Sequence, residues 1–369
     1  MYDFDIAIVG AGIAGASLAA EIGAAKSVLL LEAEDTPGYH STGRSAAFWT
    51  ETYGGPAIQP LTSASGPFLA NPPAAFSEAT LLHARGALHI GQKTDEPAAN
   101  AMIADFARSG VALHRLDPAD IKPHLQGLRD GWDVALWEPD CCDIDVAALH
   151  GGYLKQAKRG GTQILCRAPL TNAAFAQGHW QLSTGAGDFT AKILVNAAGA
   201  WADSVAQIAG VKPIGIRPYR RTMLQLAIEP AVPETLPLVV GLDGSFYFKP
   251  DAVGKLWLSP HDETLSEACD VAPEEIDIAY AIDRFQQVLD WKVLRLERKW
   301  AGLRSFAPDR LPVIGRDPEY PAFFWLAGQG GFGIQTAPAV AMLAASLLLE
   351  HANPVAGTNA RDYAPDRLR

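Results

Sequence analysis

Cysteine is scarce in this chain: four in 369 residues, at positions 141, 142, 166 and 269, with no CxxC pair and no metal-ligand spacing. That excludes a disulfide framework and a thiolate metal site. The adjacent Cys141 and Cys142 are read as two reduced thiols rather than a vicinal bridge, as in a reducing compartment. The nine histidines are scattered, with no HxxxH or HxH pair, so no metal is expected. Clustered Lys and Arg are missing too. With 30 basic against 41 acidic residues and a net charge of −11, the chain has no cationic track for nucleic acid. No apolar run reaches membrane-spanning length, and the late stretch 337–352 has the length of a buried helix. No charged segment precedes an apolar one at the start, so no secretory signal and a cytoplasmic location are expected.

What is present is an ordinary globular balance and length enough for two domains. The clearest signal is FDIAIVGAGIAGASLAAEIGAAKSVLLLEAE. An apolar run from Ile6 to Val9 reads as a parallel strand buried on both faces. It ends at Gly10-Ala11-Gly12-Ile13-Ala14-Gly15, a GxGxxG turn; a small-residue helix and a second apolar run, Val28 to Leu31, follow. Gly10 permits the turn, Gly12 lets backbone approach a pyrophosphate, and Gly15 lets helix and strand pack closely. Free N–H groups at the helix start favour an anion. Glu32, 20 residues after Gly12, would accept from a ribose hydroxyl. A dinucleotide site is expected; NAD and FAD are not separated by this unit.

Two further strand-to-helix turns carry small residues. One is Asn196 to Ala200, after a strand at Ile193 to Val195; the other is the glycine series 328, 330, 331 and 333, after Phe323 to Ala327. Pro338 then opens a long apolar helix whose N-terminus is a fixed positive pole. Between these turns, GALHIG, TMLQLAI, SFYFKP and KLWLSP alternate like half-exposed antiparallel strands. The expected fold class is therefore α/β (α+β). A Rossmann-like, parallel-sheet nucleotide domain (1–80, 140–211 and 301–369) is interrupted by a substrate domain with a mixed or antiparallel sheet (81–139 and 212–300).

Taken together, the N-terminal unit, GYHSTGRSAA, LVNAAGAWAD, SFYFKPD, WAGLRSFAPDRLPVIG and AGQGGFGIQTAPA resemble the FAD-dependent D-amino-acid oxidase superfamily along essentially the whole chain. Within it, the likeness is to bacterial D-arginine dehydrogenase-like enzymes. The resemblance implies one FAD, its ADP part held by Gly10, Gly12, Ile13, Ala14, Gly15, Glu32 and Ala33. The loop Ser41, Thr42, Gly43, Arg44, Ser45, Ala46 and Ala47 would run beside the pyrophosphate and flavin ring, with Arg44 offsetting phosphate charge. Leu170 would contact adenine through its backbone. Ala197, Ala198 and Gly199 would also touch the cofactor, and Gly330, Gly331, Gly333, Ile334, Gln335 and Thr336 would line the flavin's pyrimidine edge. Some relatives attach flavin through a C-terminal cysteine; this chain has none after Cys269, so non-covalent FAD is expected.

For the reacting end, the resemblance implies a carboxylate clamp of Arg221 and Arg304, a phenolic hydrogen bond from Tyr247, a screen from Tyr53 and a Gly331 carbonyl for the substrate amine. Arginine suits the task because its planar fork stays charged and binds carboxylate bidentately. Arg304 sits in an apolar strand where an unpaired charge is costly, and Tyr247 faces away from Phe246 and Phe248 by strand alternation. The implied reaction is hydride transfer from Cα to flavin N5, giving an imino acid that hydrolyses to a 2-oxo acid and ammonia, with no strong general base evident. The chain departs from the arginine-using relatives at Phe48, where they carry histidine, and at Ala87, where they carry the glutamate that pairs with a guanidinium. With Trp49, these point to a neutral or apolar D-amino acid, unless Glu51 restores a negative charge from another direction. Glycine or sarcosine-type amines, a 2-hydroxy acid, and a non-catalytic flavoprotein subunit are the alternatives. The electron acceptor is left open.

Overall fold

The strand Phe4–Val9 pairs in parallel on both sides, with Val28–Leu31 and with Gly187–Asn196, so that Ile8 faces Leu30 on one side and Val195 on the other. In the computed structural model, which describes residues 3–251 and 254–369, it lies in the middle of an eight-stranded sheet. Continuous apolar runs are required there because helices cover both faces. Ile6, Ile8 and Leu30 pack beneath the helices Ile13–Ile22, Val146–Arg159 and Ala337–Leu349, while Ala7, Leu29, Leu31 and Trp325 face a second core with the helix Ala202–Ile208. The strand Phe323–Ala327 joins Gly187–Asn196 in parallel at Leu194 to Asn196, which brings the third glycine turn beside the first two. The fold class is the expected one: a parallel nucleotide-type sheet and a second, mostly antiparallel sheet.

That second sheet has nine strands, built around the long pair Arg217–Glu229 and Lys292–Phe306. Its one parallel pairing joins Leu238–Gly241 to Ala87–Gly91. The alternating runs do form strands, but Ala87–Gly91 and Tyr247–Pro250 are buried throughout rather than half exposed. One face packs under the helix Glu275–Val288 through Phe248, Leu258, Ile278 and Phe285. The other face carries Met223 and Tyr247 against Ala46 and Phe48, which come from the loop after the first nucleotide-binding unit. Lys292–Phe306 also runs unbroken through residue 301, where the sequence divided the two expected domains, so Arg304 is presented by the antiparallel sheet. A small three-stranded sheet, Phe48–Trp49, Cys142–Ile144 and Leu82–Ala84, lies beside both. Among the described residues, no helix is long and apolar enough to cross a membrane.

Candidate functional site

The glycines of the first turn have separate steric reasons. Gly10 has φ +101°, and a Cβ there would lie 2.5 Å from the Ala197 carbonyl oxygen. A Cβ on Gly15 would come within 1.9 Å of the Gly10 oxygen, so the helix closes on the strand only without one. Gly12 differs: its missing side chain meets only the Thr42 hydroxyl, at 3.2 Å, on the side that opens into a long cavity. Thr42 Oγ1 accepts from the Ile13 N–H, while Glu32 accepts from the N–H groups of Ala11 (3.1 Å) and Glu34 (3.0 Å). Glu32 thus holds the turn and borders the cavity together. Ala14, Ala33, Leu170, Ala197, Ala198 and Gly199 line the same end, joined by Trp201, which sequence reasoning did not single out.

The loop after this unit forms the cavity's middle. Ser41 donates to the Leu303 carbonyl at 2.6 Å, and Ser45 accepts from the Ala47 N–H at 3.2 Å. Gly43 lies off the cavity; its Cβ would stand 2.7 Å from the Gly38 oxygen, so its role is the turn. Arg44 borders the cavity, but its guanidinium is engaged elsewhere. It pairs with Asp270 at 2.5 Å and donates to the carbonyls of Ala301 and Val271. The cation expected to offset phosphate charge is already neutralised by a carboxylate from the antiparallel half.

At the other end the expected clamp assembles. Tyr219 and Arg304 are cross-strand partners, as are Arg221 and Gly302, and both arginines line one chamber. Arg221 is deeply buried. Its Nε donates to the Asp262 carbonyl at 2.7 Å, its Nη2 lies 3.5 Å from Glu263, and its Nη1 has no partner. Burial, and then the Arg304 cation, pull its pKa down to about 10, still protonated at neutral pH. Arg304 lies 5.8 Å from the Tyr53 ring centre and has no carboxylate partner among the described residues. Arg220, by contrast, points away to Glu274, Asp277 and Asp262.

Aromatic rings close this chamber. Phe48 sits 5.7 Å from Tyr53 and 5.9 Å from Tyr247, both edge to face. Tyr247 donates to the Met223 sulfur at 2.9 Å. The Tyr53 hydroxyl occupies the space of an absent Cβ on Gly331, only 2.0 Å from where it would stand, so residue 331 must be glycine for that ring to lie there. Gly330, Gly331, Gly333, Ile334 and Gln335 line the cavity, and so does Gln329. Thr336 does not: its hydroxyl donates to the Phe332 carbonyl at 2.8 Å, and it serves as N-cap residue of Ala337–Leu349.

Two further expectations, on Trp49 and Ala87, fail in detail, and the alternative acid Glu51 lies elsewhere. Trp49 turns away from the chamber, donating to the Thr62 carbonyl at 3.0 Å and packing over Gly66, because consecutive strand residues face opposite sides. Glu51 reaches Ser63 rather than the chamber. Ala87 does not line the cavity; it is fully buried behind Tyr247 and Met223. Sequence reasoning also missed Glu138, fully buried behind the Tyr53 loop; the signal available was a lone acid ending the apolar strand Val134–Glu138. The four cysteines are free thiols, and none lines the cavity.

The model for FAD dependent oxidoreductases (DAO) matches residues 5–347. The hydrogen cyanide synthase subunit HcnC of Pseudomonas aeruginosa is 26% identical over 58% of this chain and 51% of its own. Mitochondrial sarcosine dehydrogenase of Homo sapiens is 26% identical over 61% of this chain and 26% of its own. The chain thus spans about half, or less, of the length of these curated relatives. Among solved structures, an L-proline dehydrogenase from P. horikoshii superposes with a TM-score of 0.86 at 22% identity, over 99% of this chain and 98% of that one. The residues present fit the family's cofactor. A glycine turn with an open face at Gly12 and an acid at Glu32 stands at one end, and a peptide-lined segment before a helix N-terminus stands towards the other.

Proposed function

Because the chain belongs to the FAD dependent oxidoreductase (DAO) family, we propose that it oxidises the Cα–N bond of an amino acid with a neutral or apolar side chain, the D-enantiomer where Cα is substituted. The observation that carries the reading is the pair of arginines at the end of the cavity away from Glu32: Arg221, whose Nη1 is buried without a partner although Glu263 lies 3.5 Å from its Nη2, and Arg304, which has no carboxylate partner among the described residues. A substrate carboxylate is the group that satisfies both. Glu32 and Glu34 are the only acids among the described lining residues, and both stand at the glycine-turn end. Glu138, behind the aromatic wall, is already saturated with donors. A guanidinium or ammonium side chain would find no counter-ion, which disfavours arginine and lysine.

Bound FAD, held without a covalent link, supplies the acceptor for the hydride that leaves Cα. The chain's own share is orientation. Arg221 and Arg304 fix the carboxylate, and Phe48, Tyr53 and Tyr247 enclose the side chain and exclude water. The Gly331 carbonyl would accept from the neutral amine. The imino acid formed hydrolyses to a 2-oxo acid and ammonia.

Secondary amines are the second reading, favoured by the likeness to sarcosine dehydrogenase. Anaerobic bleaching of the holoprotein by D-alanine, D-phenylalanine, their L-forms, D-arginine, glycine, sarcosine and 2-hydroxy acids separates the readings. Reduction by D-phenylalanine or D-alanine but not D-arginine is expected. Reduction by hydroxy acids alone would remove the amine reading, and no reduction by any compound would favour a non-catalytic subunit. Oxygen uptake measured alongside distinguishes oxidase from dehydrogenase.

A further inference from the structure

Glu138 is a deeply buried carboxylate behind the aromatic wall, and it collects all but one of its donors from a single short turn. Its Oε1 accepts from the N–H groups of Glu51 (2.8 Å) and Thr52 (3.4 Å). Its Oε2 accepts from the hydroxyls of Thr50 (2.7 Å) and Thr52 (2.6 Å) and from His89 Nε2 at 3.3 Å. Burial alone would raise its pKa; the hydrogen bonds from His89, Thr52 and Thr50 outweigh burial and hold the carboxyl below its ordinary range. Glu138 ends its strand directly opposite Ala87, so the antiparallel sheet anchors it from behind.

The same turn is gripped from the other half of the molecule. Gln335, which lines the cavity ahead of the last long helix, accepts from the Thr50 N–H at 3.4 Å and donates to the Tyr53 carbonyl (3.2 Å) and to Thr62 (2.9 Å). Residues 50–53 are therefore held between one carboxylate and one amide, and the side chain they deliver is Tyr53. That ring meets Phe48, Phe332 and the Arg304 guanidinium, and its hydroxyl fills the space left by glycine at 331. An acid with at least four good donors and no access to the chamber has no place in the chemistry. Its effect passes through the turn.

We propose that Glu138 is a positioning residue: by holding the Thr50–Tyr53 turn it fixes Tyr53 over the arginine pair, and so sets how tightly an amino-acid substrate is retained. This rests on the amino-acid reading of the site. A carboxylate suits the role because two oxygens can take two hydroxyls, two peptide N–H groups and an imidazole at once, whereas an amide would turn one donor against these donors.

The test uses the holoprotein and whichever of D-phenylalanine, D-alanine, glycine and sarcosine reduces the flavin fastest. Glu138→Gln should raise the half-saturating concentration about tenfold, the scale of a lost charged hydrogen bond, while flavin content stays at wild type. Amide exchange across residues 50–55 should quicken. Thr50→Val with Thr52→Val should reproduce both effects even if Glu138→Gln fails to fold, and Thr52→Ser should restore wild-type values. In a Tyr53→Ala background, Glu138→Gln should add little, since the two act through one contact. An unchanged half-saturating concentration despite faster exchange, or an equal effect in the Tyr53→Ala background, overturns the proposal. If no compound reduces the flavin, the amino-acid reading fails first. Unchanged exchange in Glu138→Gln would then sink the clamp separately.

Discussion

The two ends of the cavity recognise by different means. At the glycine-turn end, backbone does the work: Gly10, Gly12 and Gly15 are defined by what a Cβ would strike, and the polar contacts run between neighbouring peptide groups, Thr42 and Glu32. At the arginine end, side chains from separate segments do it: Phe48 and Tyr53, Arg221 and Met223, Tyr247, and Arg304, with the Gly331 backbone opposite. The first end is local and carries the acids Glu32 and Glu34; the second is assembled over long range and holds two like cations, of which Arg304 has no carboxylate partner among the described residues. Backbone recognition tolerates almost no substitution, while side-chain recognition can be retuned one residue at a time.

The sharpest break in that comparison is at Gly15. Gly15→Ala places a methyl 1.9 Å from the Gly10 backbone oxygen, with the buried Ile8 side chain 3.2 Å away, and a backbone carbonyl cannot yield as a flexible side chain would. The expected outcome is protein without flavin, read as flavin absorbance per polypeptide after purification; normal stoichiometry would show that the turn can relax. Arg304→Met should do the opposite, leaving flavin content unchanged and raising the half-saturating substrate concentration by about a hundredfold, as loss of a charged partner to a buried carboxylate does. A simple carboxylate such as propionate should raise the melting temperature of the wild type, because it relieves the Arg221–Arg304 repulsion. In Arg304→Met that gain should shrink.

The same contrast decides what could be read from sequence. The parallel strands, the three glycine turns and the last helix follow from contiguous patterns, since a buried parallel strand and a glycine turn each write their demands over a few adjacent residues. Arg221, Arg304, Tyr247 and Tyr53 were reachable only through the resemblance, because nothing near them in the chain says that they meet. Trp49 was misplaced through reading two adjacent residues as one wall, when a strand sends them to opposite faces. Arg44 looked free because its partner, Asp270, is 226 residues away. Glu138, a lone acid ending an apolar strand, carried a signal, but its role could not be read: a carboxylate's donors cannot be counted before the fold brings Thr50, Thr52 and His89 to it.

Arg44 offers a middle-sized test. If its role is to tie the loop 38–47 to Asp270 and the Ala301 and Val271 carbonyls, Arg44→Met and Asp270→Asn should behave alike. Each should change FAD affinity by less than about threefold, the scale of a largely exposed ion pair. A large loss in Arg44→Met with none in Asp270→Asn would return the cation to the phosphates and make recognition at the cofactor end partly a matter of side-chain charge.

The smallest effect concerns the field at the arginine end. His261 lies 5.5 Å from the Tyr247 ring, with its Nδ1 2.6 Å from the Gly244 carbonyl. Burial, then the cations of Arg221 and Arg304, drive its pKa down to about 3. It is neutral in the folded chain at neutral pH, so the charge sum at this end stays with the two arginines. Its folded pKa lies below the unfolded value near 6.5, so the unfolded chain binds the extra proton first. Stability therefore falls as pH drops from about 6.5 towards 3 and is unaffected above that window. His261→Asn keeps a donor and tolerates the φ of +54° at this position. It should leave stability at pH 7 nearly unchanged and reduce the acid slope of unfolding free energy by at most about 1.4 kcal/mol per pH unit. Melting temperatures across the window, wild type against variant, give the answer. An unaltered slope would mean that His261 already titrates normally, and that the arginine pair casts a weaker field than the depressed His261 pKa implies.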